Sequence, residues 1–121
     1  MSNPATVGNL AQFVGEAKTF QDSIVTAAGG PQDITGWSAT MTVYAYDDPG
    51  TVFFTITGSI SGDPDDGVFE FANTPANTSG MKPGQYGFVI ERDDGSGTPP
   101  ANAAVPTIGL YTLLPGSTFT T

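Results

Sequence analysis

Carboxylates are the residues of this chain best equipped for chemistry, and most of them stand in turns. Gly62-Asp63-Pro64-Asp65-Asp66-Gly67 puts three acids within six residues. Calcium and other hard cations take several carboxylate and carbonyl oxygens from one loop. The helical calcium loop needs a glutamate at its twelfth position, and counted from Asp63 that position holds Thr74. Pro64 also restricts the backbone that would wrap the ion. The segment therefore reads as a solvated turn between strands, and so does Asp93-Asp94-Gly95. Paired carboxylates can also hydrolyse glycosides. Nearly all the acids are scattered among turns, and apart from Glu70 and Glu91 none is expected at an inward-facing strand position. Serines and threonines are plentiful, but the chain has no histidine and no cysteine. Lys18 and Lys82 are then the only lysines that could act as bases. The expectation is a protein that is not an enzyme, with no catalytic residue, no metal site and no cofactor.

The other candidate chemistry is recognition by aromatic rings. Tyr44 and Tyr46 share one face of an alternating segment, opposite Trp37. Phe53 and Phe54 follow one another in the next segment, so this hairpin presents rings on both faces. One set must build the core. The other is covered by loops or offered to a partner, since aromatic side chains are enriched at interfaces. Tyr44, Tyr46 and Phe53 are the candidate interface residues, together with Phe119, an isolated aromatic in the Thr-rich tail. A surface that stacks carbohydrate rings is an alternative use of the Tyr44 and Tyr46 face, or of the loop over residues 93–102.

These side chains need strands to hold them. From Trp37 to Tyr46 the residues alternate without a break. Trp37, Ala39, Met41, Val43 and Ala45 point one way, and Ser38, Thr40, Thr42, Tyr44 and Tyr46 the other. Period-two alternation predicts a strand with one buried face, taken as the central strand of a sheet. Asp33-Ile34-Thr35-Gly36 is the turn that opens it: Asp33 caps the turn, Gly36 releases it, and Trp37 anchors the core. Further strands are expected over 10–16, 18–26, 52–60, 68–72, 85–92 and 104–114. The segment 52–60 forms a hairpin with 37–46 across Asp47-Asp48-Pro49-Gly50. Pro106 places the start of the last strand at an edge or a bulge. Tyr86, at the start of a late strand, fits the tyrosine that hydrogen-bonds back across a corner in immunoglobulin-like sandwiches. No apolar spacing supports a helix.

Seven short strands separated by turn signals predict an all-β, immunoglobulin-like antiparallel sandwich. Its expected core is Trp37, Met41, Val43, Phe54, Ile56, Phe69, Phe71, Tyr86, Phe88 and Ile90, with Phe13, Ile24, Ile108 and Leu110. The length, 121 residues, suits one domain. It divides into an N-terminal arm over 1–9, a sandwich over 10–114 and a C-terminal tail over 115–121. A one-residue slip of register would exchange the two faces of any of its strands.

Charge narrows the partners. Twelve acids against three bases give a formal net charge of −9. Nucleic acid and anionic membranes would repel such a chain, because phosphate binding needs clustered Lys and Arg. Charged residues make up 12% of the chain, about half the usual share. The surface is therefore expected to be rich in Thr, Ser, Asn, Gln and Gly. No apolar run reaches membrane-spanning length, and residues 1–9 lack the basic start and apolar core of a signal peptide.

The order of motifs resembles a family. Asp33-Ile34-Thr35-Gly36-Trp37 opens the alternating strand. Asp66-Gly67-Val68-Phe69-Glu70-Phe71 and Met81-Lys82-Pro83-Gly84-Gln85-Tyr86-Gly87-Phe88 follow it. In this order they resemble the immunoglobulin-like N-terminal domain of bacteriophage baseplate upper proteins and related tail modules. Met81 replaces the family's usual leucine and Phe88 its second tyrosine, and the basic residue often found after the central strand is missing. The resemblance spans roughly residues 13–114. It implies a virion structural protein, assembled in the host cytoplasm, that binds other virion subunits in multiple copies or in a symmetric array. The tail, baseplate or neck would be its place. A capsid decoration protein of the phage head is the alternative, as is the carbohydrate-binding module.

Overall fold

The alternation seen in the sequence decides which side of each strand is buried. In β3 (Ser38–Ala45), Ala39, Met41 and Val43 are buried, while Thr40, Thr42 and Tyr44 face outward and are partly exposed. In β7 (Gly84–Asp93), Tyr86, Phe88 and Ile90 are buried together. The remaining strands are β1 (Thr6–Phe13), β2 (Lys18–Ser23), β4 (Asp48–Thr57), β5 (Ser59–Ile60), β6 (Val68–Asn73) and β8 (Thr107–Leu114). The computed structural model describes residues 6–26, 28–95 and 106–115. A one-turn helix α1 (Pro75–Thr78) and a short 3-10 turn at Pro64–Asp66 complete the described elements.

The strands form two sheets. The larger has the order β1-β8-β7-β3-β4, and the smaller β2-β6-β5. Only the β1–β8 pair is parallel among the described strands. In immunoglobulin lettering β2, β6 and β5 take the places of B, E and D. The strands β3, β7 and β8 take those of C, F and G, and β4 that of C′. The two inner faces meet in one core, in which Met41, Val43, Phe69, Phe71, Phe88 and Tyr111 are almost fully buried. Tyr111 sits edge-on to Phe20, Phe54 and Tyr86, with ring centroids 6.0–6.4 Å apart. Edge-to-face contact suits the ring quadrupoles.

Two expected devices are in place. Tyr86 Oη donates to the Lys82 carbonyl at 2.5 Å, closing the corner between β6 and β7. Asp33 Oδ1 accepts from Thr35 N at 3.0 Å and from Thr35 Oγ1 at 2.6 Å. Gly36 follows at φ 79°, a conformation only glycine adopts at little cost.

Several expectations give way. The middle strand of the larger sheet is β7, and β3 lies beside it. Trp37 precedes β3 and is half-buried at the margin of the core. The 52–60 segment is two strands, one in each sheet: the chain leaves β4 at Gly58 and enters the smaller sheet as β5. A side chain at Gly58 would collide with the Phe71 ring, so the bare backbone lets the chain cross there. The Pro49-Gly50 pair lies within β4, because Ala45 already pairs with Asp48 and the extra residues form a bulge. Ile108 is exposed and Leu110 half-buried, and Tyr111 and Leu113 take the inner positions of β8 instead. Phe13 is also half-buried. Strand β1 begins at Thr6, inside the stretch expected to be an arm, and α1 stands where no helix was expected.

Candidate functional site

The candidate aromatic residues converge on the β3–β4 hairpin, but in three different environments. Tyr44 is half-buried. Its ring lies across Gly87 of the neighbouring strand, where a Cβ would come within 2.4 Å of the ring. Tyr44 and Gly87 are direct cross-strand partners, so the ring fills the gap that the glycine leaves in the outer face. Tyr46, in the turn after β3, is 61% exposed. Phe53 is 44% exposed and touches the Tyr86 ring edge-on at 5.0 Å. The bulge explains how this half-open ring reaches a core tyrosine. Val43 pairs with Phe54 and Tyr44 with Val52, which leaves Phe53 as the extra residue. Val52, not singled out in the sequence, is 53% exposed beside them. Phe119 lies outside the described residues.

Tyr46, Val52 and Phe53 thus make a local apolar corner on one edge of the larger sheet. Elsewhere on the outer face of that sheet stand Leu110, Val89, Thr42, Thr55, Thr112 and Gln85, with Glu91 and Asp93 as the acids of β7 on that side. Such a face can bind by apolar contact and hydrogen bonding.

The acids behave as turn residues. Asp63 caps the 3-10 turn, its Oδ1 accepting from Asp65 N at 3.3 Å. Asp33 stands close enough to raise the pKa of Asp65, with Asp63 and Asp66 adding to the repulsion. The bonds from Thr35 hold Asp33 below the ordinary aspartate range. Among the described residues no three of His, Cys, Asp and Glu are grouped so as to hold a metal ion. Glu70 and Glu91 flank inward-pointing neighbours on different sheets, so they face opposite outer sides of the sandwich and form no pair.

Two buried polar clusters were not anticipated. Arg92 on β7 donates from Nε and Nη2 to Asp22 Oδ2 on β2, at 3.0 and 2.8 Å. Arg92 Nη2 also donates to Thr107 Oγ1 on β8, and Thr107 Oγ1 donates to Asp22 Oδ1 at 3.1 Å. This clasp joins the two sheets. The signal in the sequence was Gln21-Asp22-Ser23, which interrupts the apolar run of Phe20, Ile24 and Val25 and puts a carboxylate on the same strand parity as Phe20 and Ile24. At the other end, Asn73 Nδ2 donates to Gln12 Oε1 at 2.5 Å and to Tyr111 Oη at 3.3 Å. Asn77 Nδ2 donates to Asn73 Oδ1, and Gly15 N to Thr78 Oγ1. Burial pushes the Tyr111 phenol well above its ordinary pKa. Both clusters satisfy buried polar groups within the fold, which makes them structural.

No known protein family matches the sequence, and no curated protein does. Among solved structures the chain is similar to the N-terminal domain of phage TP901-1 ORF48. The TM-score is 0.58 at 13% sequence identity, over 88% of this chain and 85% of that one. At this identity the likeness is one of fold.

Proposed function

We propose that this chain is a non-enzymatic structural subunit of a bacteriophage virion, binding other virion subunits in multiple copies in the tail, baseplate or neck. The observation that carries the reading is the likeness of fold to a phage domain across most of both chains. Two features of the molecule agree with it. Asp33 and Asp63 are engaged as turn caps, and the exposed aromatic residues among those described, Tyr46 and Phe53, lie on one sheet edge. In this reading Tyr46 and Phe53 contact neighbouring subunits, whereas Tyr44 mainly braces Gly87. Residues 1–5, ahead of β1, and residues 115–121 supply further contacts between subunits.

The test is incorporation. Particles assembled with wild-type chain are purified and compared with particles assembled with Tyr46→Asp, Phe53→Asp and the two terminal truncations. The chain is expected to co-purify at a fixed stoichiometry, with incorporation falling at least about tenfold for the aspartate variants, because a charge buried at an apolar contact is costly. A chain absent from purified particles sinks the reading. Glycan binding lost on Tyr46→Ala would replace it with a carbohydrate-binding module.

A further inference from the structure

The sequence has no base between Lys18 and Lys82, so the β3–β4 hairpin carries acids without a counterion of its own. Its turn presents Tyr46 and Asp47 side by side, both exposed. Among the described residues neither the Tyr46 hydroxyl nor the Asp47 carboxylate has a hydrogen bond or an ion pair. Asp48 is engaged within the hairpin: its Oδ1 accepts from Gly50 N at 3.2 Å and its Oδ2 from Thr51 Oγ1 at 2.7 Å. The exposed Val52 and Phe53 stand beside them. The acids at the other end of β4 differ. Asp33 accepts from Thr35, Asp63 from Asp65 N and Asp93 from Gly95 N. No exposed aromatic ring stands with them among the described residues.

We infer that the tip of the β3–β4 hairpin seats an arginine from a subunit of different sequence with a basic surface. The guanidinium lies over the face of Tyr46 and donates to the Asp47 carboxylate, and apolar neighbours of that arginine cover Val52 and Phe53. This rests on the reading above in which Tyr46 and Phe53 contact neighbouring subunits. Charge and chemistry select the occupant. Asp47 calls for a cation, and the ring beside it attracts a cation to its face. Arginine uses both groups at once. Its planar fork stacks on an aromatic face and meets a carboxylate with two parallel bonds, whereas lysine acts as a point charge. A second copy of this chain cannot supply the group. Arg92 is the only arginine in the sequence, and its side chain is 5% exposed and held by Asp22. Two chains of net charge −9 also repel each other, whereas a basic surface is drawn in.

An NMR titration of the isotope-labelled chain with an oligoarginine peptide tests the seat, with oligolysine of equal length for comparison. Oligoarginine should shift the backbone signals of Tyr46, Asp47, Val52 and Phe53 and bind there at least about threefold tighter than oligolysine. The affinity should fall as salt rises from about 20 mM to about 300 mM. Tyr46→Leu and Asp47→Asn should each weaken binding at least about threefold. Asp66→Asn, at the other end of β4, should leave it within about twofold. Shifts centred on Asp33 and residues 63–66 overturn the seat. So does an equal response to the two peptides, or one indifferent to both hairpin variants. In purified particles, a photo-cross-linking phenylalanine analogue in place of Tyr46 should capture a basic subunit of other sequence, and capture of a second copy overturns the inference. A chain that binds oligoarginine at the hairpin but is absent from particles leaves the seat standing and sinks the virion reading. A chain present in particles whose hairpin ignores oligoarginine does the reverse.

Discussion

Tyr111 shows how one side chain couples packing to pH. It is fully buried, ringed by Phe20, Phe54 and Tyr86, and its hydroxyl accepts from Asn73 Nδ2. In the unfolded chain this phenol ionises near its ordinary value of 10.0, and in the folded protein burial raises it. A raised folded pKa means the folded state holds its proton longer than the unfolded state does. The resulting stability is complete below pH 10 and is lost as the pH climbs toward the folded value. The midpoint of thermal unfolding should therefore fall as the pH rises above about 10. Tyr111→Phe should start about 1 kcal/mol less stable near neutrality, having lost one buried hydrogen bond, and should then show the shallower alkaline fall. Parallel curves for the two proteins would show that another group governs alkaline unfolding. The sequence does not single out this residue, and the reason is local. In the last strand Ile108 and Leu110 offer one apolar parity and Tyr111 and Leu113 the other. Alternation alone gives no preference there. In the structure the bulkier pair fills the core.

At the scale of elements, the question is what holds the small sheet on the large one without a disulfide. Immunoglobulin domains often tie their B and F strands with a cystine, the second cysteine two residues after the corner tyrosine. Here Phe88 stands at that place, fully buried. The Asp22–Arg92–Thr107 clasp makes a polar link between the same two strands, with side chains 7% and 5% exposed at the ion pair. Removing one member leaves a buried charge without its counterion. Arg92→Ala or Asp22→Ala should each cost about 3–5 kcal/mol in chemical denaturation. Replacing Asp22, Arg92 and Thr107 together by well-packed apolar residues should be close to neutral, because no charge is then stranded. A triple variant as unstable as the single ones would show that the clasp fixes geometry that apolar packing cannot replace. Strand order was only partly legible for a related reason. Residues 37–46 gave the clearest alternation and so looked central, yet β7 occupies the middle. Clean alternation reports one buried face, and says nothing about how many strands lie on either side.

For the whole molecule, excess negative charge is the property that sequence and structure express together. Fold class, the hairpin of β3 and β4, the tyrosine corner and most of the core were legible, because each depends on neighbours in sequence or on strict alternation. The clasp and the Gln12–Asn73–Tyr111 network join residues 70, 61 and 38 positions apart. Pairings of that range leave no local signal. The same holds for the meeting of Asp33 with the 3-10 turn, where Ile34 N donates to the Pro64 carbonyl and brings two acidic turns together. Their titrations should oppose each other. The Asp65 pKa is raised, chiefly by the charge of Asp33 and then by that of Asp63. Its folded state takes up a proton more readily than the unfolded chain, so stability rises as the pH falls from neutrality through that raised value. The Asp33 pKa is lowered, chiefly by the Thr35 hydroxyl. Its contribution is present above the ordinary value of 3.8 and is lost as the pH falls below it through the folded value. The thermal midpoint should thus climb on mild acidification and fall on stronger acidification. Both groups are on the surface, so the effects are small and screened by salt. Asp65→Asn should raise the midpoint at pH 7 and low salt and flatten the climb, whereas Thr35→Ala should move the fall to higher pH. Melting curves from about pH 7 to about pH 2.5, at low and at high ionic strength, separate the two. An Asp65→Asn protein that melts below wild type at pH 7 and low salt would show that repulsion at Asp65 does not govern the stability of these two turns.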